Sequence, residues 1–462
     1  MTIWAPDLAR FPGPRYQAIA EAIGAAIREG NLSSGDRLPP QRELAWKLGV
    51  TVGTVSRGYA LAEQRGLLSG EVGRGTYIRS INQRSSGKTL ATDPNDTFDM
   101  SVNTANLAGR GAILAETLRE IASTDDDDFL LRYMPTAGHA RHRTALVPWL
   151  KRHDLAQAHP DTIILTAGAA QGLMMSVSAL TAVGAPVMAE SLTYPGLIET
   201  AHVLNRPLLG LEMDVDGVIP DALERAAVDH HAKMAVLVPT IQNPTAIVMP
   251  EQRRRDIVTV AERHDLLLIE DDVYGNLPEA PLPPLAAMAP DRTIYIGSAS
   301  KCLAPGLRVG WILTPENFMA RLSNAIFATS VAQPSLTFEI AARWIESGIA
   351  DQLVRDLRAE MTVRQSVTAD VLGDFNYATQ ENAFHIWLEL PNRWRGGTFA
   401  EAAAARKIRL MAGSAFMTGE GPSPRAVRIS ISRPPDANIL ARDLHILRDI
   451  LLAGPSAGRT LV

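Results

Sequence analysis

The chain has 462 residues, which is too long for one ordinary domain and predicts two or three. Hydrophobic residues make up 46% of it, and no apolar stretch approaches the roughly 18 residues that a membrane-spanning helix needs, so a soluble globular protein is expected. The single cysteine, Cys302, excludes a disulfide framework and a cysteine metal site, and it fits the reducing cytoplasm.

Charge is distributed unevenly along the chain. The formal net charge is −5, but residues 1–79 carry ten Arg and Lys against seven Asp and Glu, which makes that segment +3 and the remainder −8. A basic end on an acidic protein favours nucleic-acid contact at that end.

Residues 11–79 are predicted to form a small helical domain that ends in a hairpin. Apolar residues recur at helical spacing from Tyr16 to Ile27 and predict a first helix. A short helix over Gln41–Leu48 and a further helix with Thr51 as its N-cap follow. Two short strands around the glycine-rich tip Gly73-Arg74-Gly75 complete a winged helix-turn-helix.

Residues 80–98 are rich in Ser, Asn, Thr, Gly and Asp, and are predicted to be a linker. Over residues 99–455, short apolar runs alternate with helical stretches, which is typical of an α/β fold with a doubly wound, mostly parallel sheet. Residues 321–455 are predicted mainly to form a smaller C-terminal subdomain. The predicted strands of the sheet are Ile163–Leu165, Pro186–Met188, Ala235–Val238, Leu266–Ile269, Thr293–Ile296 and Gly310–Leu313.

A lysine among hydroxyl groups follows one of these strands, in the run Ser298-Ala299-Ser300-Lys301, and Arg308 comes one short loop later. The amine of Lys301 can form an imine with an aldehyde, while Ser298, Ser300 and Arg308 can hold a phosphate. This combination is typical of a site for the phosphorylated aldehyde pyridoxal 5'-phosphate.

A second phosphate-binding element is predicted where the strand Ile163–Leu165 leads into a helix. The backbone N–H groups of Gly168, Ala169 and Ala170 lie at that helix start, where the helix dipole favours an anion. Because two of these residues are alanines without a polar side chain, phosphate binding must depend on the backbone together with the serines and the arginine.

Three further segments, each placed after a predicted strand, supply the groups that the ring of this cofactor needs. Tyr194 can stack on the ring, and Asn243 can donate to the ring oxygen. Asp271 can keep the ring nitrogen protonated, and Tyr274 can bond to the same oxygen as Asn243.

Taken in order, these motifs resemble those of fold-type I aminotransferases over residues 99–455, and residues 11–79 resemble a GntR-family DNA-binding domain. That pairing is the hallmark of the MocR subfamily of bacterial transcriptional regulators. The resemblance implies that Lys301 carries pyridoxal 5'-phosphate and that Arg428 clamps the carboxylate of an effector. It also implies a head-to-tail, domain-swapped homodimer. At Arg428, the sequence leaves a surface salt bridge open as the alternative.

By the same resemblance, residues 51–64 are the recognition helix, the glycine-rich tip is the wing, and the partner is double-stranded operator DNA. Val52-Gly53 stand where many relatives carry an arginine or another polar residue, which leaves fewer groups to read bases. The side chains expected to reach bases or phosphates are Arg42, Thr51, Thr54, Ser56, Arg57 and Arg74.

The expected function is that of a cytoplasmic transcriptional regulator that senses an amine or amino acid through pyridoxal 5'-phosphate. Two alternatives stay open at the level of sequence. One is an active aminotransferase with an N-terminal DNA-binding extension, and the other is a DNA-binding protein whose aminotransferase-like part is an empty structural shell.

Three histidines, His139, His142 and His153, are spaced in a way that resembles a metal site. No clustered cysteines or carboxylates accompany them in the sequence. They are therefore expected to be surface residues rather than metal ligands.

Overall fold

The computed structural model describes residues 4–28, 31, 32, 36, 38–64, 67–71, 75–78, 98–104, 109–124, 127–419 and 421–455. The chain divides into two compact units, Met1–Asp96 with Glu420–Pro424 and Thr97–Gly419 with Arg425–Val462. Arg74 and, apart from Phe98, the predicted linker at residues 80–98 lie outside the described residues.

The first unit has the predicted order of three helices followed by a hairpin. Its core is formed by apolar side chains that share one face of each helix, including Ile19, Ile23, Leu44 and Val55. The hairpin strands are antiparallel, and the first begins at Leu68. The elements are α1 (Arg15–Arg28), α2 (Gln41–Leu48), α3 (Val52–Gln64), β1 (Leu68–Glu71) and β2 (Gly75–Ile78).

Close packing of α1 against α3 depends on a glycine. A Cβ atom at Gly58 would lie 2.8 Å from Cγ2 of Ile19 and 3.0 Å from the Tyr16 carbonyl oxygen. On the same helix, the Tyr59 hydroxyl donates to the Pro39 carbonyl at 2.8 Å and so attaches α3 to the segment before α2. The orientation of the third helix is therefore set by a short interhelical approach and one buried hydrogen bond.

The second unit contains a seven-stranded sheet, in which all six predicted strands are confirmed. Neighbouring strands are parallel except at β12, which is antiparallel to both β4 and β11. The strand at one edge, β6, was not predicted, because its short and half-exposed segment contains Gly210 and lacks the buried apolar pattern. In spatial order the strands are β4 (Ile163–Thr166), β12 (Gly310–Leu313), β11 (Thr293–Ser298), β10 (Leu267–Asp271), β9 (Met234–Leu237), β5 (Val187–Glu190) and β6 (Leu208–Leu211).

Helices cover this sheet and complete its core. Most of α11 and all of α12 fall within residues 321–455, which were predicted mainly to form the smaller subdomain, but Leu322 and Phe338 on these helices belong to the core of the large sheet. The helices from α4 to α12 are α4 (Arg110–Ala122), α5 (Ala140–Lys151), α6 (Ala169–Leu180), α7 (Pro195–Val203), α8 (Pro220–Asp229), α9 (Glu251–Arg263), α10 (Leu285–Met288), α11 (Met319–Ser330) and α12 (Ser335–Glu346).

A smaller four-stranded sheet with its own core lies C-terminal to these helices, with Phe384, Phe399 and Leu444 buried beneath it. Its strands are, in spatial order, β13 (Tyr377–Ala378), β14 (His385–Glu389), β17 (Ala426–Ser430) and β16 (Met411–Ala412). Two strand pairs stand apart, β3 (Phe98–Asp99) parallel to β15 (Ile408–Arg409), and the hairpin of β7 (Met213–Asp214) with β8 (Gly217–Val218). The remaining helices are α13 (Ile349–Leu372), α14 (Gly396–Ala405) and α15 (Ala437–Ala453).

His142 is buried, which corrects the expectation that it lies at the surface. Its Nε2 atom lies 3.0 Å from Oε2 of the buried Glu339, a carboxylate that also accepts from Arg141 and Arg343. Because a buried carboxylate needs partners, the histidine is part of an ion-pair cluster that joins α5 to α12. Within the described residues, no group of three or more metal-ligating side chains occurs, and no helix is long and apolar enough to cross a membrane.

Candidate cofactor and ligand site

The predicted site residues of the second unit meet at one edge of the large sheet. Lys301 comes soon after β11, Asp271 is the last residue of β10, Asn243 follows β9 and Gly168 follows β4. These strands run parallel, so their carboxyl ends lie at the same edge, where ligands of doubly wound sheets bind. Arg308 joins them because it precedes β12, the strand that runs the opposite way.

Lys301 has the properties of a reactive amine. Its Nζ atom donates to the Asn103 carbonyl oxygen at 2.6 Å. Burial, together with a smaller effect of the cationic Arg428, lowers the pKa of the amine from 10.5 to about 8, while Asp271 acts in the opposite direction. A lysine with a lowered pKa is neutral more often at physiological pH, and the neutral amine is the form that attacks an aldehyde.

Asp271 is a buried acid that lacks a full set of partners. Its Oδ1 atom accepts one long hydrogen bond, from the Val273 backbone N–H at 3.4 Å. The pKa of this carboxyl is raised from 3.8 to about 7, mainly by burial and to a smaller extent by the neighbouring Asp272. The Val273 N–H and Lys301 act in the opposite direction and lower it. A cationic ring nitrogen would supply the ion-pair partner that this carboxyl lacks among the described residues.

The start of α6 and Arg308 form a cradle for an anion. The N–H groups of Ala169 and Ala170 lie in the first turn of α6, where backbone N–H groups have no intrahelical acceptors. No side chain caps this helix, so these N–H groups are available to an anion. Arg308 donates from Nη2 to the Ala167 carbonyl at 3.1 Å. Gly168 has a φ of +85°, and a Cβ atom there would lie 2.5 Å from Nη2 of Arg308, so only glycine allows this approach.

Ser298 and Ser300 shape the loop that carries the lysine. Both are buried, and Oγ of Ser298 lies 3.0 Å from the Val309 carbonyl oxygen and 3.0 Å from Oγ of Ser300. The Ser300 backbone N–H also donates to the Ser298 hydroxyl at 3.1 Å. These bonds attach the lysine loop to the segment that precedes β12, and the role of the two serines toward a phosphate stays a prediction.

Tyr194 lies at the N-terminus of α7, against a glycine. A Cβ atom at Gly196 would lie 2.2 Å from Cε1 of the Tyr194 ring, so the glycine creates the space in which the ring lies. Burial raises the pKa of the Tyr194 hydroxyl, and the charges of Asp271, Arg428 and Arg308 all act on it. The ring therefore lies among the groups predicted to surround the cofactor.

Arg428, on β17, is buried, with 4% of its surface exposed, so the surface salt bridge considered from the sequence is wrong. It donates from Nη1 to Oδ1 of Asn243 at 2.7 Å and from Nη2 to the Ser101 carbonyl. The guanidinium also lies over the Phe416 ring, with its Cζ atom 5.1 Å from the ring centroid.

The partners of Arg428 leave its positive charge uncompensated. No described carboxylate lies within ion-pair distance of the guanidinium, its Nε atom has no partner among the described residues, and burial lowers its pKa. A buried cation with neutral partners is suited to an incoming carboxylate.

Two residues of the site, Asn103 and His385, were not found from the sequence. The Asn103 amide donates from Nδ2 to the Tyr274 hydroxyl at 2.8 Å and lies 2.9 Å from Nδ1 of His385. His385 is the first residue of β14, and Asn103 lies in a segment without any motif. The fold brings together residues that are 282 positions apart, and no local pattern reports such a contact.

These residues fit pyridoxal 5'-phosphate. The second unit offers a buried amine with a lowered pKa, a buried acid without a charge partner and an anion cradle at a helix start. Two buried polar atoms near them, Oδ1 of Asn103 and Nε of Arg428, have no partner among the described residues. This donor set matches the needs of a phosphorylated pyridine aldehyde.

In the first unit, the predicted DNA-contacting side chains lie on α2 and α3. Arg42, Thr51, Ser56 and Arg57 are exposed and Thr54 is half-buried, whereas Arg74 lies outside the described residues. Oγ1 of Thr51 accepts from the Thr54 backbone N–H at 3.2 Å, which makes Thr51 the N-cap that the sequence predicted. Arg57 lies back over Tyr16, with Cζ 5.6 Å from the ring centroid.

Comparison with family models assigns both units. The model of aminotransferase class I and II matches residues 95–441, and the model of bacterial regulatory proteins of the gntR family matches residues 15–78.

Individual relatives show the same arrangement. The chain is 29% identical over 449 residues to the uncharacterized HTH-type transcriptional regulator YdeF of Bacillus subtilis, covering 97% of this chain and 96% of that protein. It is 30% identical over 369 residues to the HTH-type pyridoxine biosynthesis transcriptional regulator PdxR of Corynebacterium glutamicum, covering 77% and 78%. The kynurenine aminotransferase of Pyrococcus horikoshii shares the fold, with a TM-score of 0.73 and 23% identity, over 81% of this chain and 95% of that one.

Proposed function

Because the chain belongs to the aminotransferase class I and II family over residues 95–441 and carries a gntR-family domain at residues 15–78, we propose that it senses an amine or amino acid through pyridoxal 5'-phosphate and thereby regulates transcription. The sensing site is the edge of the large sheet around Lys301. The uncompensated positive charge of the buried Arg428 carries this proposal, because it prepares the site for a ligand with a carboxylate.

Different side chains of this site hold different parts of the cofactor and its ligand. When bound, pyridoxal 5'-phosphate supplies an aldehyde carbon and a ring that withdraws electrons. The amine of Lys301 attaches the cofactor, Asp271 holds a proton at the ring nitrogen, and the cradle of Arg308 and the α6 N-terminus holds the phosphate. Arg428 orients the carboxylate of the ligand.

The first unit is the DNA-binding part of the proposal. Its α3 and the N-cap Thr51 present exposed polar side chains, including Ser56 and Arg57, and helices of this kind read the major groove of double-stranded DNA. One such domain covers only one half-site, so specific binding calls for two copies of the chain on a symmetric operator. We place such a bacterial regulator in the cytoplasm, the compartment that contains the DNA.

Exposed apolar side chains support a homodimer. Leu131 and Tyr133 are 89% and 88% exposed, and Phe327 on α11 is 57% exposed. The Ser335 hydroxyl donates to the Leu130 carbonyl at 2.5 Å and attaches the loop of Leu131 to the start of α12. Exposed large apolar side chains mark association sites, so we assign Leu131 and Tyr133 to a dimer interface, with the DNA-binding domains exchanged head to tail.

The decisive experiment is fluorescence anisotropy of the cofactor-loaded protein on its own upstream intergenic DNA and on scrambled DNA, at one fixed salt concentration. A preference of about a thousandfold for the upstream DNA is expected. An amino acid that changes this preference in the wild type, and has no effect in the Lys301→Ala protein, is the effector. Equally weak binding to both DNAs would contradict the proposal and direct attention to the release of a keto acid from an amino donor.

A further inference from the structure

A continuous chain of hydrogen bonds runs beneath the predicted cofactor position, through residues to which no function has yet been given. It starts at the Gln242 carbonyl oxygen, 3.3 Å from Nε2 of His385. It continues from Nδ1 of His385 to the Asn103 amide at 2.9 Å and from that amide to the Tyr274 hydroxyl at 2.8 Å. All four residues are buried.

The direction of this chain is set at His385. A carbonyl oxygen can only accept, so Nε2 of His385 must carry a hydrogen to bond with Gln242. The ring is neutral, because burial and the cationic Arg428 lower its pKa from 6.5 to about 3. A neutral imidazole has one N–H, so Nδ1 is a bare acceptor and requires a donor from Asn103.

The Asn103 amide therefore presents its nitrogen to both neighbours. One N–H is donated to His385 and the other to Tyr274, which makes the Tyr274 oxygen an acceptor in that bond. Burial raises the pKa of Tyr274 to about 12, so the phenol keeps its own hydrogen at neutral pH. That hydrogen is not used in the bond with Asn103 and is available for a ligand.

Asn103 has a second contact with the site, through its main chain. Its carbonyl oxygen accepts from Nζ of Lys301 at 2.6 Å, while its side-chain Oδ1 atom has no partner among the described residues. One residue thus holds both the lysine and the tyrosine that approach the cofactor.

We propose that Asn103, oriented by a proton on Nε2 of His385, is a positioning residue that holds the Tyr274 hydroxyl as a hydrogen-bond donor to the ring oxygen of pyridoxal 5'-phosphate. This inference rests on the proposed cofactor. A hydrogen bond donated to the ring oxygen stabilises the form in which that oxygen is negatively charged. It therefore lowers the pH at which the bound cofactor loses its proton.

The test is a pH titration of the visible absorbance of the cofactor-loaded full chain, in the wild type and in Asn103→Asp. The carboxylate of Asn103→Asp can only accept, so it draws the Tyr274 hydrogen away from the ring oxygen. The midpoint is expected to rise by about one pH unit, since that corresponds to the loss of one hydrogen bond. Asn103→Ala removes the positioning bond without adding charge and gives a smaller rise; if Asn103→Asp does not fold, this variant is titrated in its place.

A double-mutant cycle separates positioning from the added charge. In a Tyr274→Phe background, the shift caused by Asn103→Asp is expected to fall to less than half, because the hydroxyl on which Asn103 acts is gone. The matched control is Asn382→Asp, which makes the same change at a buried asparagine whose amide donates to the Leu277 carbonyl at 3.3 Å; its midpoint is expected to stay at the wild-type value.

The outcomes distinguish this inference from the proposed function. A wild-type band that is absent would contradict the cofactor itself, and a band that persists unchanged in Lys301→Ala would contradict its attachment to that lysine. If the band is present and depends on Lys301, then an unshifted midpoint in both Asn103 variants, or an equal Asn103→Asp shift with and without the Tyr274 hydroxyl, would overturn the role of Asn103 alone.

Discussion

At the scale of single residues, burial sets the protonation of the site. Asp271 and Lys301 lie at the ends of neighbouring strands, and burial shifts both of their pKa values toward neutrality, to about 7 and about 8. Burying a charge is costly at both groups, and a bound cofactor that supplies the opposite charge lowers that cost. Stability and cofactor binding should therefore be linked through these two groups.

The pH dependence of stability without cofactor tests this link at Asp271. Folding raises the pKa of Asp271. The contribution of this residue to the free energy of unfolding is therefore fully present below about pH 4 and is lost as the pH rises through about 7. Asp271→Asn removes that loss. Relative to wild type, the variant is expected to gain about 3–4 kcal/mol in free energy of unfolding between pH 4 and 8, measured by urea denaturation of the cofactor-free chain. Parallel pH curves would show that Asp271 is already ionised in the folded protein.

Arg428 yields a second prediction at this scale. Its planar guanidinium can bind a carboxylate with two parallel hydrogen bonds, which a lysine ammonium cannot do. The test ligand is chosen from a panel of the common amino acids as the one that most changes the spectrum of the bound cofactor. We expect it to bind the Arg428→Lys protein about 10–100-fold more weakly than the wild type, while the affinity for the cofactor is unchanged. An equal loss for the corresponding amine, which has no carboxylate, would remove this role from Arg428.

At the scale of elements, the position of α3 depends on its packing against α1. Helix propensity alone predicts that alanine in place of either glycine on α3 stabilises the helix by up to about 1 kcal/mol. Gly53 and Gly58 lie on the same helix in opposite surroundings, since Gly53 is exposed and Gly58 faces Ile19. The pair therefore separates local preference from tertiary packing.

Gly58→Ala is expected to destabilise α3, because the added Cβ atom would lie 2.8 Å from Ile19, and overpacking of this kind costs about 1–3 kcal/mol. Gly53→Ala is the matched control and leaves α3 as stable as before or more so. Hydrogen exchange of the α3 amides in the full chain measures both, with exchange expected to be about tenfold faster or more in Gly58→Ala. Equal exchange in the two variants would contradict the packing argument.

At the scale of the whole molecule, the proposed homodimer can be tested at the exposed apolar side chains. Leu131 and Tyr133 are exposed and do not belong to the hydrophobic core. Tyr133→Asp is expected to weaken self-association at least tenfold, measured by analytical ultracentrifugation, and to reduce the preference for upstream DNA in parallel. Val215→Asp introduces the same charge at a side chain that is 87% exposed, and it should leave both unchanged. If Tyr133→Asp remains fully dimeric, the interface lies elsewhere.

The sequence by itself determined the two families, the order of elements in the first unit, six of the seven strands of the large sheet and the residue types expected at the site. These features are local, because apolar periodicity, glycine turns and strand-end motifs are written in neighbouring residues. Four features needed the tertiary structure: the burial of His142, the assignment of α11 and α12 to the large sheet, the buried cation at Arg428 and the contact between Asn103 and His385. Each of them depends on the pairing of segments distant in the chain, which no local pattern encodes.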